Sequence, residues 1–253
     1  MQKWQCKIAP SLGGGFAGTP ASAWGTKEYT NQEEPAVFVG LYGLPDFYTL
    51  WRHKGRKAIF WCGSDIRHFI NGYWLSEKGD IRLSPRPLAE WIQRNCESYV
   101  ENQPEYDALK KWGIESKIVP SFLGDVNDFQ PQELSKELRY YSSVSNNDFK
   151  LYGWDKINEI AEKNPDTKYF LYGNTISWEA PKNVMVRGRM SQEEMDNEIK
   201  SMTGAIRMTE FDGFSEIIAK SILWGQKPIS LIPYNYTREE LLKVLNKYPW
   251  NIK

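Results

Sequence analysis

Residues 207–230 read RMTEFDGFSEIIAKSILWGQKPIS, and they carry the best-placed pair of carboxylates in the chain. Glu210 and Asp212 stand two positions apart, with Arg207 ahead of them and Gly213 behind. From Phe214 onward, apolar or small residues recur at 214, 217, 218, 221, 222 and 225. That is the spacing of a helix with one buried face. Glu216 and Lys220 fall on the opposite face, four apart, in the favourable acid-before-base order. Asp212 and Gly213 occupy the expected N-cap, where a glycine lets a ligand or another backbone come close. The first turn of such a helix offers N–H groups and positive dipole character to an anion. The run GAIRMT just before it reads as a strand, so Thr209, Glu210 and Asp212 arrive at the carboxyl end of a parallel strand. Ligands bind there in open α/β sheets. Two carboxylates beside an anion-ready helix end suit a ligand with hydroxyls and a phosphate. The plainer alternative is a capped helix that only covers a sheet.

Other groups could serve the same ligand. SLGGGFAGTP places Gly13, Gly14 and Gly15 after the first strand, where free N–H groups and close backbone approach are available. It is not a dinucleotide fingerprint: Gly13, Gly15 and Gly18 fit the spacing, but no helical pattern follows. Asp65 and Arg67 follow a strand. Arg139, Lys150, Arg187, Arg189 and Arg207 are the cations near strand ends or loops of the second half, and Arg187 and Arg189 flank Gly188. A leaving diphosphate needs one or two such cations. Metal sites and histidine-based triads are poorly supplied, with only His53 and His68. His53, in WRHKGRK, reads as part of a solvated helix end, and His68 as a turn residue. Leu223 and Trp224 fall off the apolar stripe, which suits packing on a neighbouring helix or a subunit or membrane contact.

The elements that position these groups alternate between short apolar runs and helical patterns, the signature of βαβ units. Strands are expected in WQCKIA, PAVFVGLYG, RKAIFWC, CESYVEN and ESKIVPSFLG, with helices in PDFYTLWRHKG, RPLAEWIQRN and QPEYDALKKWGI, the last ended by Gly113. The polar, turn-rich stretch 124–136 separates this half from a second, so the domains are set at 1–130 and 131–253. The second half runs strand ELRYYSSV, helix YGWDKINEIAEKNP, strands TKYFLYGN and KNVMVRGR, helix SQEEMDNEIKSM, strand GAIRMT, the 214–225 helix, strand KPISLIP and helix TREELLKVLNKY. Ser191 and Glu194 form a capping box. A cleft between two α/β halves is the default ligand site.

Composition bounds the function. A chain of 253 residues with 41% hydrophobic and 14% aromatic content builds a real core. A formal net charge of zero argues against nucleic-acid binding, which needs a basic surplus. Three dispersed cysteines (Cys6, Cys62 and Cys96) match neither a disulfide framework nor a zinc pattern, pointing to a reducing, cytoplasmic setting. MQKWQCKIAPSLGGG lacks the apolar core of a signal peptide. No window approaches the roughly 20 apolar residues of a membrane span. Eleven tryptophans belong mostly in cores, with peripheral contact at the inner face of a membrane left open.

FDGFSEIIAKSILWGQKPIS resembles the C-terminal motif of the GT-B glycosyltransferases of family 4, in which an acidic residue and glycine open a helix that ends in Gly-x-Pro. FWCGSDI resembles the family's His-Gly-Thr-Asp segment. SYVENQPEYDALKKWGIESKIVPSFLGDVNDFQP, YGWDKINEIAEKNPDTKYFLYGN and NVMVRGRMSQEEMDNEIKSM resemble its further segments in order and spacing, so the likeness covers about residues 36–235. The resemblance implies an α/β, GT-B-like fold: two Rossmann-like domains, parallel sheets facing across a cleft, a shortened acceptor-side domain first and a nucleotide-sugar-binding domain second. It implies a retaining, hexosyltransferase-type enzyme of polysaccharide biosynthesis. Sugar would pass from a nucleotide diphosphate donor to a saccharide or lipid-linked acceptor, with no cofactor and no metal needed for the chemistry. Residue patterns and resemblance together assign catalytic roles to Asp212, Glu210 and Asp65. They assign donor and phosphate binding to Gly14, Gly15, Arg187, Arg189, Arg207, Gly213, Phe214, Ser215, Glu216 and Lys220. The chain departs from the family in three places: Lys220 stands where a second glutamate holds the donor ribose, Cys62 replaces a histidine, and Tyr152-Gly153 replaces an Arg…Lys-Gly pair, with Lys150 nearby. A lysine cannot accept hydroxyl protons, though it can meet a phosphate. These departures motivate the alternative: a catalytically weak GT-B-like protein that binds a nucleotide or glycan beside a partner.

Overall fold

The structure is a computed structural model that describes residues 3–12, 24–72, 83–122, 124–144, 150–173, 179–210, 212–245 and 250. The chain divides into two compact units, 1–124 with 243–253, and 125–242. Residues 243–253, read from the sequence as the end of the second domain, thus group with the first unit.

In the first unit, six described strands pair in the order β2-β1-β3-β4-β5-β6: β1 Gln5–Ile8, β2 Lys27–Glu28, β3 Ala36–Val39, β4 Lys57–Phe60, β5 Glu97–Val100 and β6 Lys117–Ile118. Every pairing is parallel. The central strand β3 shows why its sequence, AVFV, is apolar throughout. Ala36 and Phe38 enter one core with Leu50, Ile59, Trp61 and Ile92. Val37 and Val39 enter another with Trp4, Phe60, Tyr99 and Trp250. A parallel sheet covered on both faces needs apolar side chains in both directions. Trp250, from the C-terminal stretch, stacks edge-on against Tyr99 at 4.9 Å and lies 5.5 Å from Trp24.

Helices α1 Leu44–Arg52, α2 Ser64–Ile70, α3 Pro85–Asn95 and α4 Gln103–Lys110 belong to this unit, beside a short 3-10 turn at Pro10–Leu12. Three of them begin with proline in the first turn, where a missing N–H costs nothing. Asn102 caps α4 by accepting from Glu105 N at 3.0 Å. The two-residue edge strand β2 and the seven-residue α2 were not expected. The Ser64–Ile70 segment, read as a strand exit and a turn, opens after Gly63 at φ 78° without a side-chain cap, so it carries no start signal.

The second unit holds five parallel strands ordered β11-β10-β7-β8-β9: β7 Arg139–Ser143, β8 Lys168–Tyr172, β9 Val184–Gly188, β10 Gly204–Arg207 and β11 Ile229–Ser230. Its helices are α5 Trp154–Lys163, α6 Gln192–Ile199, α7 Glu216–Leu223 and α8 Arg238–Leu245, the last running on into the first unit. The capping box on α6 forms as expected: Ser191 Oγ accepts from Glu194 N at 3.2 Å, and Glu194 accepts from Ser191 N at 2.9 Å.

The 214–225 helix exists but differs in two ways. It starts at Glu216 with Ser215 as N-cap, four residues after Asp212. It is also enclosed on almost every side: Ile217 through Leu223 are buried, Lys220 included. Leu223 and Trp224 are buried too, which rules out the subunit or membrane contact considered for them. Trp224 packs on Phe129 with ring centroids 5.1 Å apart.

His53 is likewise no surface residue. It is buried, with its ring 5.4 Å from Phe38 and Nδ1 3.3 Å from Tyr29 Oη. Burial pushes its imidazole below the ordinary value of 6.5. The unfolded chain then takes up a proton before the native state does, so stability falls as pH drops below about 6.5. Urea unfolding of wild type and His53→Gln should show the wild type's advantage shrinking between pH 7.5 and 5.5. A gap that stays constant would exclude this linkage. At Gly153, φ is 75° and an added Cβ would sit 2.1 Å from the Met208 carbonyl oxygen. Gly153→Ala should therefore lose more than about 1 kcal/mol in the same assay.

Candidate functional site

Four parallel strands end at the site, each handing over a different group. β7 delivers Ser143 and Val144. β8 delivers Tyr172 and Gly173, whose φ of 89° brings the backbone so close that an added Cβ would meet the Val144 carbonyl oxygen at 2.0 Å. β9 ends at Gly188, also at positive φ, and the Gly188 carbonyl accepts from Gly173 N at 2.7 Å. Arg189 and Met190 follow. The first turn of α6 then presents Gln192 and Met195. Beyond β10, the chain reaches the first turn of α7 with Glu216, Ile217 and Lys220. All of these except Gly188 line a concavity of about 360 Å³, within the usual range for a small-molecule pocket.

Its walls are chemically divided. Val144, Met190, Met195 and Ile217 supply apolar surface. Arg189 is exposed and donates through Nε to the Gly173 carbonyl at 3.3 Å. Glu216 is exposed at the first residue of α7. Lys220, expected on the solvent side, is 3% exposed. Its ammonium lies 3.0 Å from both carboxylate oxygens of Asp196, 3.4 Å from Glu216 and 5.6 Å from the Phe129 ring centroid. Asp196 also accepts from Gln192 Nε2 at 2.8 Å. Lys220 is thus engaged by α6 and by its own helix. Lys220 thus lies between two carboxylates, and Arg189 brings a guanidinium to the same wall.

The acidic turn before α7 is built around Arg207. This buried guanidinium donates to Asp212 Oδ2 at 2.7 Å and to the Ser143 carbonyl at 2.5 Å, and lies 4.1 Å from the Tyr152 ring centroid. Tyr152 is therefore the aromatic platform for Arg207. Gly213 accepts from the Tyr234 hydroxyl at 2.5 Å, and Phe214 is buried edge-on against Tyr234 and Tyr236. Ser215 is buried as the N-cap, without a side-chain cap bond.

Of the residues singled out in the sequence, the structure brings Arg189, Glu216 and Lys220 to the cavity wall. Arg207 and Asp212 meet each other one step behind it, joined to the wall through Ser143. Glu210 is exposed and pairs with Lys156 at 3.1 Å. Arg187 pairs with Glu198 at 2.9 Å and is not among the residues that line the cavity. Gly14 and Gly15 lie outside the described residues. Asp65 belongs to the first unit and is fully buried. Its oxygens accept from Leu41 N, Cys62 N and Ile66 N at 2.9, 3.0 and 2.9 Å, tying together the loops after β3 and β4. Burial pushes its carboxyl up to about 7. That environment makes it a clasp between the two loops.

Sequence reasoning missed Gln192, Met195, Asp196 and Tyr172. Asp196 had one visible signal, its place four residues after Gln192 on a helix, but nothing in the sequence pairs it with Lys220. Among the described residues, no three His, Cys, Asp or Glu side chains gather as a metal site. No helix there is long and apolar enough to cross a membrane.

No protein-family model matches the chain, and no curated protein resembles it in sequence. Solved structures do resemble it in shape. TarM superposes with a TM-score of 0.54 at 11% identity, over 83% of this chain and 43% of TarM. A sucrose-phosphate synthase from Thermosynechococcus elongatus superposes at 0.53 and 11% identity, over 77% of this chain and 55% of the synthase. An S. aureus TarM variant, in complex with fondaparinux, alpha-GlcNAc-glycerol and UDP, superposes at 0.50 and 12% identity, over 86% of this chain and 50% of its own. The chain spans about half the length of these structures. The expected α/β architecture with two parallel sheets is borne out, and the fold of this chain is that of the GT-B glycosyltransferases.

Proposed function

We propose that this protein transfers a sugar from a nucleoside diphosphate donor to a saccharide or lipid-linked acceptor, with retention at the anomeric carbon. The observation that carries the reading is the concavity at the carboxyl ends of β7, β8 and β9, closed by the first turn of α7 and lined by Arg189 and Glu216. A GT-B fold is consistent with it, and the TarM variant was solved with UDP.

In this reading the diphosphate lies toward Arg189 and the N–H groups that open α7, because both favour negative charge. The hydroxylated part of the donor faces Glu216, a carboxylate held by the Lys220 ammonium and able to accept hydroxyl protons. Asp212, fixed by Arg207, and Glu210 form the acidic turn that meets the donor sugar. As the bond from the anomeric carbon to phosphate oxygen breaks, the acceptor oxygen attacks from the same face. The acceptor's proton passes to the departing phosphate oxygen, so no protein base is required. Neither a metal nor another cofactor enters this scheme.

A second reading draws on the internal pairing of Lys220 and of Arg207. Both cations are already neutralised by carboxylates, which favours a protein that binds a nucleotide or glycan with little turnover.

A thermal-shift panel of UDP-, GDP- and ADP-sugars should give stabilisation by at least one of them. Loss of a charge-assisted contact in Arg189→Ala should weaken that binding about tenfold or more. If no nucleotide stabilises the protein, the transferase reading fails, and binding without turnover on any acceptor selects the second reading. Asp212→Asn should reduce sugar transfer by more than tenfold under conditions where circular dichroism shows the variant folded. Unchanged transfer would remove Asp212 from the site. NMR of the product's anomeric proton tests retention directly.

A further inference from the structure

One helix of the first unit shows solvent a face that its core does not need. α1 buries Phe47 and Leu50 and turns Pro45, Tyr48, Trp51 and Arg52 outward. Tyr48 and Trp51 are each 53% exposed and stand one turn apart. They are the two most exposed large aromatic side chains among the described residues, in a chain whose other tryptophans described there lie mainly in cores. Both ring types have an apolar body with a polar edge, the combination that settles at a membrane–water boundary.

Around this face the cations Arg52, Lys54 and Arg67 outnumber the acids Glu33 and Asp46. Arg52 is exposed on the helix itself and has no acidic partner among the described residues. Lys54 follows it, shared with Glu33 at 2.9 Å. At the other end, Tyr42 leads into α1 and meets the His68 ring at 5.8 Å, and Arg67 and His68 are exposed on α2. The acid on α1, Asp46, is half-buried and occupied by Tyr42 N and Gly43 N at 3.0 and 3.2 Å.

We propose that the α1 face docks on an anionic lipid surface, with Tyr48 and Trp51 entering the headgroup region and Arg52 meeting lipid phosphates. The exposed halves of two aromatic side chains amount to an area on the order of 200 Å². A stable protein–protein interface needs roughly 800 Å² per partner. Shallow insertion of two rings plus a few cations suffices for reversible membrane binding. The proposal does not depend on the transferase reading, since it involves no residue of the candidate site.

Sedimentation with vesicles of phosphatidylcholine, alone or mixed with phosphatidylglycerol, tests it. The protein should pellet with the mixed vesicles, much less with the neutral ones, and less at high salt. Tyr48→Ser with Trp51→Ser should lower partitioning about tenfold, and Arg52→Gln about fivefold, with the Tm of each variant unchanged. Equal binding to both vesicle types, no binding to either, or full binding by the double aromatic variant would overturn the proposal. So would concentration-dependent self-association that the same substitutions abolish, because the face would then serve a second copy of the chain.

Discussion

An ammonium group with almost no access to water sits between two helices, and much of the second unit is arranged around it. Lys220 reaches both oxygens of Asp196 from α6 while remaining on α7. Removing a charge from water costs several kcal/mol per ion even after relaxation. That cost is offset only if the partners keep their geometry. The pair therefore constrains α6 relative to α7, and Gln192 and Glu216 are drawn into the same network. Helices packed only through apolar side chains could slide with small loss. Two helices joined by an ion pair whose lysine is buried have a preferred register, and that register sets one wall of the cavity.

A second buried cation fixes the acidic turn. Arg207 leaves the end of β10 and is held at once by Asp212, the Ser143 carbonyl and the Tyr152 ring. It links three separate stretches of chain, and its planar, many-donor head suits that work better than a lysine would. The two cations polarise the region. Carboxylates gather beside Lys220 and Arg207, and Arg189 brings a further guanidinium to the wall.

Much of this arrangement was legible in advance. Runs such as KYFLY and GAIR are apolar because both faces of a parallel sheet are covered, and Ser191 with Glu194 announces the start of α6. Gly113, expected to end a helix, takes positive φ. Segments too short to show a period were not legible. β2 pairs through two residues only, and α2 lacks a capping side chain. The helix period in IIAKSIL also misled, because it placed Lys220 on a solvent face. A stripe calculation assumes one covered side, whereas α7 is surrounded and buries even its lysine.

The sequence by itself determined the alternation of strands and helices, the apolar composition of both sheets and the location of an acidic turn before an apolar helix. Those are local properties, written in periodicity, glycine placement and caps. Only the tertiary structure decided that Asp65 is a loop clasp, that Asp212 answers Arg207, and that Lys220 answers an aspartate 24 positions earlier. A charge takes its meaning from the partners and the water around it. Those are set by contacts between distant segments, which no spacing along the chain encodes.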